Sequence, residues 1–161
     1  MRRIVIDNQL ISARKGGQKV IHMSVPKPER EEHPMDVQLA AIALAKYTME
    51  EAEKETVVSK RSRWSLGDRM IDAALDAAGH LDIANSMKLE IPEEARERLV
   101  RQDMANANLF RLKTLIKIAR DKKLFPSKKE ESWVRMVTDV QKMLAAWKES
   151  DRNRKRSYRP H

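Results

Sequence analysis

The stretch SKKEESWVRMVTDVQKMLAAWK, residues 127–148, decides the fold class. Its large apolar residues recur every three or four positions, which places them on one face of an α-helix. They are Trp133, Met136, Val137, Val140, Met143, Leu144 and Trp147. Ser127 and Glu130 have the spacing of a capping box, in which each side chain binds a backbone N–H of the first turn. The pattern predicts a long amphipathic helix that begins at Ser127 and ends near Lys148.

Three more helices are predicted upstream, over residues 35–54, 65–87 and 92–122. Pro34 and Pro92 suit first-turn positions, because the N–H that proline lacks has no helical partner there. Residues 124–126, Leu-Phe-Pro, end the third helix and turn the chain toward the fourth. Each connection that separates these helices is short, which favours antiparallel neighbours.

Apolar residues at helical spacing mark the face of each upstream helix that we expect to be buried. In the first helix they are Met35, Leu39, Ile42 and Met49. In the second helix, which Ser65 and Asp68 would cap, they are Leu66, Met70, Ala74, Ala77, Leu81 and Ala84. In the third they are Ala105, Leu109, Leu112, Ile116 and Ala119. Alanines at 40, 41, 43 and 45 widen the first stripe to two faces, which predicts a second neighbour within the domain or in another subunit.

Four helices with one seam each predict an all-α protein, an up-down-up-down four-helix bundle over residues 35–149. Residues 1–34 form a separate extension, poorly ordered or folded as a hairpin about Gly16 and Gly17, with a proline-rich linker at its end. Residues 150–161 lack an apolar stripe and are expected to be an unstructured basic tail. Aromatic residues make up only 4% of the chain, with 4 glycines, which argues against an all-β fold.

The charge of the chain is large and unevenly distributed. Lys and Arg number 33 against 24 Asp and Glu, a formal net charge of +9. Residues 66–87 carry net −3, whereas residues 88–126 and residues 148–161 each carry net +4. An excess of this size attracts phosphates or acidic proteins; the alternative is that it serves solubility alone. With no cysteine, signal peptide or apolar run of membrane-spanning length, we expect a cytoplasmic protein without membrane association.

Basic residues are the best candidates for a binding site. Lys113, Lys117 and Arg120 share a face of the third helix, with Arg111 beside them and the pair Lys122 and Lys123 beyond its end. Two further clusters lie outside that helix: Lys60, Arg61 and Arg63 beside Trp64, and Arg152, Arg154, Lys155, Arg156 and Arg159 beside Tyr158. These clusters predict phosphate contacts of RNA or DNA, and the alternative for each is an ordinary solvated surface.

No pattern that carries enzyme chemistry is present. The sequence has no glycine-rich phosphate loop, nucleophile elbow or His-Glu-x-x-His zinc motif, so we expect a protein without catalytic, metal or cofactor sites. His80 is predicted to be buried and hydrogen-bonded. Asp68, Asp72 and Asp76 recur at every fourth residue of the second helix, but the Glu-x-x-His pairs of dimetal bundles are missing. We therefore expect a solvated or ion-paired acidic face.

Three stretches resemble one bacterial four-helix-bundle family. The first is KRSRWSLGDRM, residues 60–70, followed by Ala-Leu-Asp at 74–76. The second is LFRLKTLIKIARD, residues 109–121, and the third comprises WVRMV at 133–137 and MLAAW at 143–147. The family includes the accessory variability determinant proteins of diversity-generating retroelements and the proteins encoded in ribosomal RNA intervening sequences. The pattern is closer to the retroelement proteins.

The resemblance, over about residues 35–148, implies a pentameric barrel of bundles. It also implies association with a reverse transcriptase and with its template RNA or complementary DNA. The resulting hypothesis is a non-enzymatic nucleic-acid-binding accessory protein that binds phosphates without reading sequence. Two alternatives remain open: an RNA-binding bundle linked to ribosomal RNA or another ribonucleoprotein, and a structural adaptor between proteins.

Overall fold

The computed structural model describes residues 34–54 and 63–157, and this part of the chain is an all-α four-helix bundle, as predicted. The helices are α1 (Pro34–Glu53), α2 (Asp68–Ser86), α3 (Pro92–Asp121) and α4 (Ser127–Ser157). The predicted hairpin and linker of the N-terminal extension lie outside the described residues.

Neighbouring helices run antiparallel around the bundle. Gln38 near the start of α1 hydrogen-bonds Asp82 near the end of α2, at 2.7 Å. Thr48 near the end of α1 accepts a hydrogen bond from the indole of Trp133 near the start of α4. At the other end of α4, Asp151 pairs with a residue near the start of α3. Together with the short α2–α3 turn, these contacts establish the predicted up-down-up-down order.

The predicted seams of α2, α3 and α4 form the core. All six predicted seam residues from Leu66 to Ala84 and all five of α3 are buried, whereas Met136 and Met143 of α4 are half-buried against the core. Trp133 and Trp147 are 0% and 1% exposed, and they are the largest side chains in the core. Tyr47 meets the edge of the Trp133 ring with 5.6 Å between ring centroids, and Phe125 lies beside that ring at 5.8 Å. These aromatic contacts join the ends of α1 and α3 to the start of α4.

The predicted seam of α1 is wrong. Leu39, Ile42 and Met49 are exposed, and the side chain of Met35 lies outside the described part. Two of the predicted widening alanines, Ala41 and Ala45, are buried together with Val37, Leu44, Thr48 and Ala52. Both sets have helical spacing, so periodicity alone does not choose between them. The buried set contains three alanines, which let α1 approach its neighbours closely. The larger side chains of the other set consequently face outward.

The starts of α2 and α4 differ from the predicted ones. A π-helical turn over Arg63–Gly67 precedes α2, so helical backbone begins before Ser65, and Gly67 occupies the N-cap position of α2. At α4, the carbonyl of Pro126 accepts the N–H groups of Lys129 and Glu130. This places Pro126, rather than Ser127, at the N-cap.

The C-terminal tail expected from residue 150 is helical as far as Ser157, because α4 continues well beyond Lys148. Asp151 explains the continuation, since its side chain is buried and ion-paired within the bundle. A charged residue in the expected tail is thus part of the folded core. Residues 158–161 lie outside the described part of the chain.

Candidate nucleic-acid surface

The three basic residues predicted to share a face of α3 do so, and that face borders α4. Lys113 Nζ donates a 2.8 Å hydrogen bond to Gln141 Oε1 of α4. The guanidinium of Arg120 lies 3.4 Å from the carboxylate of Glu130, also on α4. Lys117 lies between them along the helix and is exposed. The set therefore lines the α3–α4 surface rather than projecting from an isolated helix.

Lys113 is more enclosed than the sequence suggested. Its ammonium is held by Gln141, whose amide in turn donates to Asn106 Oδ1 at 3.1 Å. It also lies 5.9 Å from the centroid of the exposed Phe110 ring. Lys113 is half-buried. A phosphate would therefore have to compete with Gln141 for this cation.

Arg120 has acidic neighbours that make its guanidinium less available to a phosphate. Its Nε lies 2.9 Å from Asp121 and 3.4 Å from Glu130. Lys117, by contrast, makes no hydrogen bond or ion pair with any described residue. Of the three predicted contact residues, Lys117 is therefore the one whose ammonium is exposed and has no acidic partner among the described residues.

Arg111 does not join this surface, contrary to the prediction. It lies on the opposite side of α3, where Nη1 is 3.9 Å from Asp76 Oδ2 of α2. The cause is the helical step of 100° per residue, which carries Arg111 away from Lys113 although the two are close in sequence. Both partners of this ion pair are about half exposed, so its contribution to stability is small.

The α3–α4 turn carries two exposed cations. Lys122 and Lys123 follow α3, and Lys123 adopts a left-handed backbone conformation with φ of 58°. An open cavity of about 520 Å³ lies at this turn. Its lining comprises Arg120, Asp121, Lys123, Phe125, Pro126 and Ser127. Lys122 and Lys123 are thus exposed cations at the end of α3, and Lys123 lines the cavity beside Arg120.

The C-terminal basic cluster lies on helical backbone at the opposite end of the bundle. Arg152 is 3.8 Å from Glu149, and Arg154 donates to Ser150 Oγ at 3.1 Å. Lys155 and Arg156 lie in the last turns of α4, and their side chains lie outside the described part. Arg159 and Tyr158 are not described.

The cluster before α2 is largely outside the structure. Lys60 and Arg61 fall in the undescribed stretch 55–62. Arg63 begins the π-helical turn, but nothing is described of its side chain or that of Trp64. The predicted phosphate contacts of this cluster stay predictions.

The acidic face of α2 is solvated, as expected, with Asp68, Asp72 and Asp76 all exposed. His80 differs from its prediction, because it is only half-buried and its buried Nδ1 has no hydrogen-bond partner. Within residues 34–54 and 63–157, no group of three His, Asp or Glu residues has a geometry that could hold a metal ion.

A buried polar network escaped the sequence analysis. Arg98 and Gln102 of α3 both hydrogen-bond Asp151 of α4, and all three residues are buried. The spacing carries a signal for it, since residues 98 and 102 continue the α3 seam by steps of four and three toward Ala105. Apolar periodicity alone does not reveal it, because both of these seam residues are polar.

No protein-family model matches the chain, and no curated protein sequence shows significant similarity to it. No helix within the described ranges combines the length and the apolar composition that crossing a bilayer requires.

Proposed function

We propose that this protein is a non-enzymatic nucleic-acid-binding accessory factor that works with a reverse transcriptase and its template RNA or complementary DNA. The observation that carries the nucleic-acid part is the side of α3 that Lys113, Lys117 and Arg120 share beside α4. Lys117 is exposed there and has no acidic partner among the described residues. Phosphates are the ligands that such a surface attracts without regard to base sequence.

The reverse transcriptase is proposed from the resemblance of residues 60–76, 109–121 and 133–147 to the retroelement accessory proteins. In this proposal the polymerase performs the chemistry, and the bundle holds nucleic acid beside it through phosphate contacts. Copurification with the reverse transcriptase encoded by a neighbouring gene tests the association. Recovery of the bundle without the polymerase, under conditions where RNA binds, would favour the ribonucleoprotein alternative instead.

A homo-oligomer belongs to the same proposal, with a pentamer implied by the resemblance. Support for a contact between subunits comes from Ile83 on α2 and from Val100 and Met104 on α3. These side chains are 41%, 43% and 44% exposed. Ile83 lies seven residues, or two turns, from Asp76 on the side of α2 that faces α3. An apolar group of this kind also favours the structural adaptor, whose partner would be a different protein.

The decisive experiment compares two charge-matched triple variants in RNA binding. The first replaces Lys113, Lys117 and Arg120 with glutamine. We expect it to weaken binding of all RNAs similarly and to reduce the slope of log affinity against log salt by up to about 2, for three contacts on a single strand. Fluorescence anisotropy with two unrelated RNAs at several salt concentrations measures both quantities.

The control variant replaces Lys46, Arg69 and Arg135, exposed cations of α1, α2 and α4, with glutamine. It lowers the net charge equally but leaves the α3–α4 surface intact. Equal losses in the two variants would mean that only net charge matters, and that the proposed surface is an ordinary solvated one.

The C-terminal cluster needs a variant that preserves the fold. Truncation after Ser150 removes the buried Asp151, so its effect on binding would mix with unfolding. Glutamine replacements at Arg152, Arg154, Lys155 and Arg156 avoid this. Loss of RNA binding in that variant alone would assign binding to the end of α4.

A further inference from the structure

The outer side of the α1–α2 pair carries an apolar strip that no described residue covers. Ile42, Met49 and Leu75 are 38%, 37% and 46% exposed. Ile42 and Met49 follow Gln38 by four and eleven residues, so they lie on its side of α1, which contacts α2 through Asp82. Leu75 precedes Asp82 by two helical turns and therefore borders the same groove. Leu39, which is 59% exposed, adjoins the strip on its solvent side.

This face of the bundle is also acidic. The helix α2 contains four aspartates and one arginine. Asp68 and Asp72 are exposed on its outer side. A ligand that covers the α1–α2 strip should therefore combine apolar side chains with positive charge.

The first 28 residues of the chain have both properties. They contain six basic residues against the single acid Asp7, and they include the apolar runs Ile4-Val5-Ile6 and Val20-Ile21. The segment rejoins the structure at Pro34, the first residue of the helix that carries the strip. Five residues, four of them Glu or Arg, separate residue 28 from Pro34.

We propose that residues 1–28 dock onto the α1–α2 strip of their own chain, with apolar side chains covering Ile42, Met49 and Leu75 and basic side chains facing the aspartates of α2. Residues from Pro34 to Met49 span only about 22 Å along the helix axis. An undocked chain of the 29 residues from Val5 to Pro34 already has a root-mean-square reach of about 30 Å. The stretch from Val5 to Pro34 is thus long enough for residues 1–28 to reach the strip. Because it is covalently attached to α1, it gives residues 1–28 a high effective concentration at the strip.

The basic surface of a second copy matches the strip less well. The α3–α4 surface has cations, and the exposed large apolar side chain beside them is Phe110. The ammonium of Lys113 lies 5.9 Å from the centroid of its ring. Segment 1–28 offers contiguous branched apolar residues together with charge, and this favours it as the occupant.

The absence of cysteine from the chain makes paired-cysteine cross-linking a clean test. One cysteine replaces Val5 or Ile21 in the segment, and the other replaces Ile42 or Leu75 in the strip. The control pairs the same segment cysteine with Phe110→Cys on the α3–α4 surface. A short bismaleimide reagent is added to dilute full-length protein that is free of nucleic acid.

We expect intramolecular cross-links to the strip to form about tenfold faster than to Phe110→Cys, since docking raises the local concentration at the strip alone. Replacing Ile4, Val5 and Ile6 with serine, with Ile21→Cys as the probe, should abolish the preference. Equal rates at the two surfaces for both segment positions would overturn the proposal. Covalent dimers through the strip cysteine, in place of intramolecular products, would overturn it in favour of a second copy. Circular dichroism verifies that each cysteine variant is folded.

Discussion

The guanidinium of Arg98 on α3 holds the carboxylate of Asp151 on α4 through two hydrogen bonds. Nε lies 2.6 Å from Oδ2, and Nη2 lies 3.1 Å from Oδ1. The same guanidinium donates to the carbonyl of Met87 at 2.8 Å and lies 5.0 Å from the centroid of the Trp147 ring. One arginine thereby joins the turn after α2, the start of α3 and the C-terminal part of α4.

Asp151→Ala should destabilise the bundle by about 3–5 kcal/mol, because it leaves Arg98 buried without its counter-charge. Replacing all three members of the network with apolar residues, Arg98→Met, Gln102→Leu and Asp151→Leu, should restore most of that loss. Urea denaturation followed by circular dichroism gives the free energies of unfolding. A loss below about 1 kcal/mol in the single variant would show that α4 does not need this pair.

Trp147→Ala should cost about 3–5 kcal/mol in unfolding free energy, since the side chain is 1% exposed and its removal leaves a cavity. Phe110→Ala is the matched control, because Phe110 is 56% exposed and its truncation opens no cavity. We expect the control to change stability by about 0.5 kcal/mol or less. Similar losses in the two variants would contradict the burial of Trp147.

Glu51 should contribute to the acid sensitivity of the fold. Burial alone would raise the pKa of Glu51, but hydrogen bonds from Lys129 and Lys54 and their charges outweigh it and hold the pKa below its ordinary value of 4.5. A carboxyl with a lowered folded-state pKa stabilises the protein fully above its unfolded pKa. That contribution is lost as pH falls through the folded-state pKa.

Glu51→Gln should therefore lower stability by about 1–3 kcal/mol at pH 7, the range for hydrogen bonds to charged groups. The difference from the wild type should shrink once pH falls below about 4.5. Urea denaturation across this pH range makes the comparison, with the exposed Glu131→Gln as control. A difference that persists unchanged at low pH would attribute the loss to packing rather than to charge.

Among single variants, Lys117→Gln should weaken RNA binding more than Arg111→Gln. Lys117 lies exposed on the α3–α4 surface, whereas Arg111 lies on the opposite side of α3 beside Asp76. The first variant should lower the salt slope by about 0.7, the share of one phosphate on a single strand. Anisotropy titrations give both slopes. A larger effect of Arg111→Gln would indicate that RNA binds on the α2–α3 side of the bundle.

Light scattering at low micromolar concentration should give a mass several times that of the 18.7 kDa chain. Ile83→Lys with Met104→Lys should reduce this mass, because lysines at these exposed positions would bury unpaired charge in a contact between subunits. A monomeric wild type would refute the oligomer and the pentamer with it. An oligomer that the two lysines leave intact would place the contact elsewhere.

Much of the fold was predictable because sequence patterns within single helices are sufficient to locate the helices. Helix boundaries at residues 34–35, 86–87 and 121–122 follow from prolines and from the ends of apolar periodicity. The face of α1 was not predictable, since Leu39 and Leu44 both belong to stripes of helical spacing. At the candidate site, the common side of Lys113 and Lys117 followed from their spacing, whereas the hydrogen bond from Lys113 to Gln141 links residues far apart in sequence.

The sequence by itself determined the all-α class, the number of helices and three of the four buried seams, because each depends on contacts within one helix and its periodicity. Only the tertiary structure decided which face of α1 is buried, where α4 ends and which cations remain exposed. Asp151 shows the reason: in sequence it precedes a basic run, and only the approach of Arg98 from α3 makes its burial favourable. The free energy of burying a charged residue depends on partners that are distant in sequence, and the sequence pattern around that residue does not identify those partners.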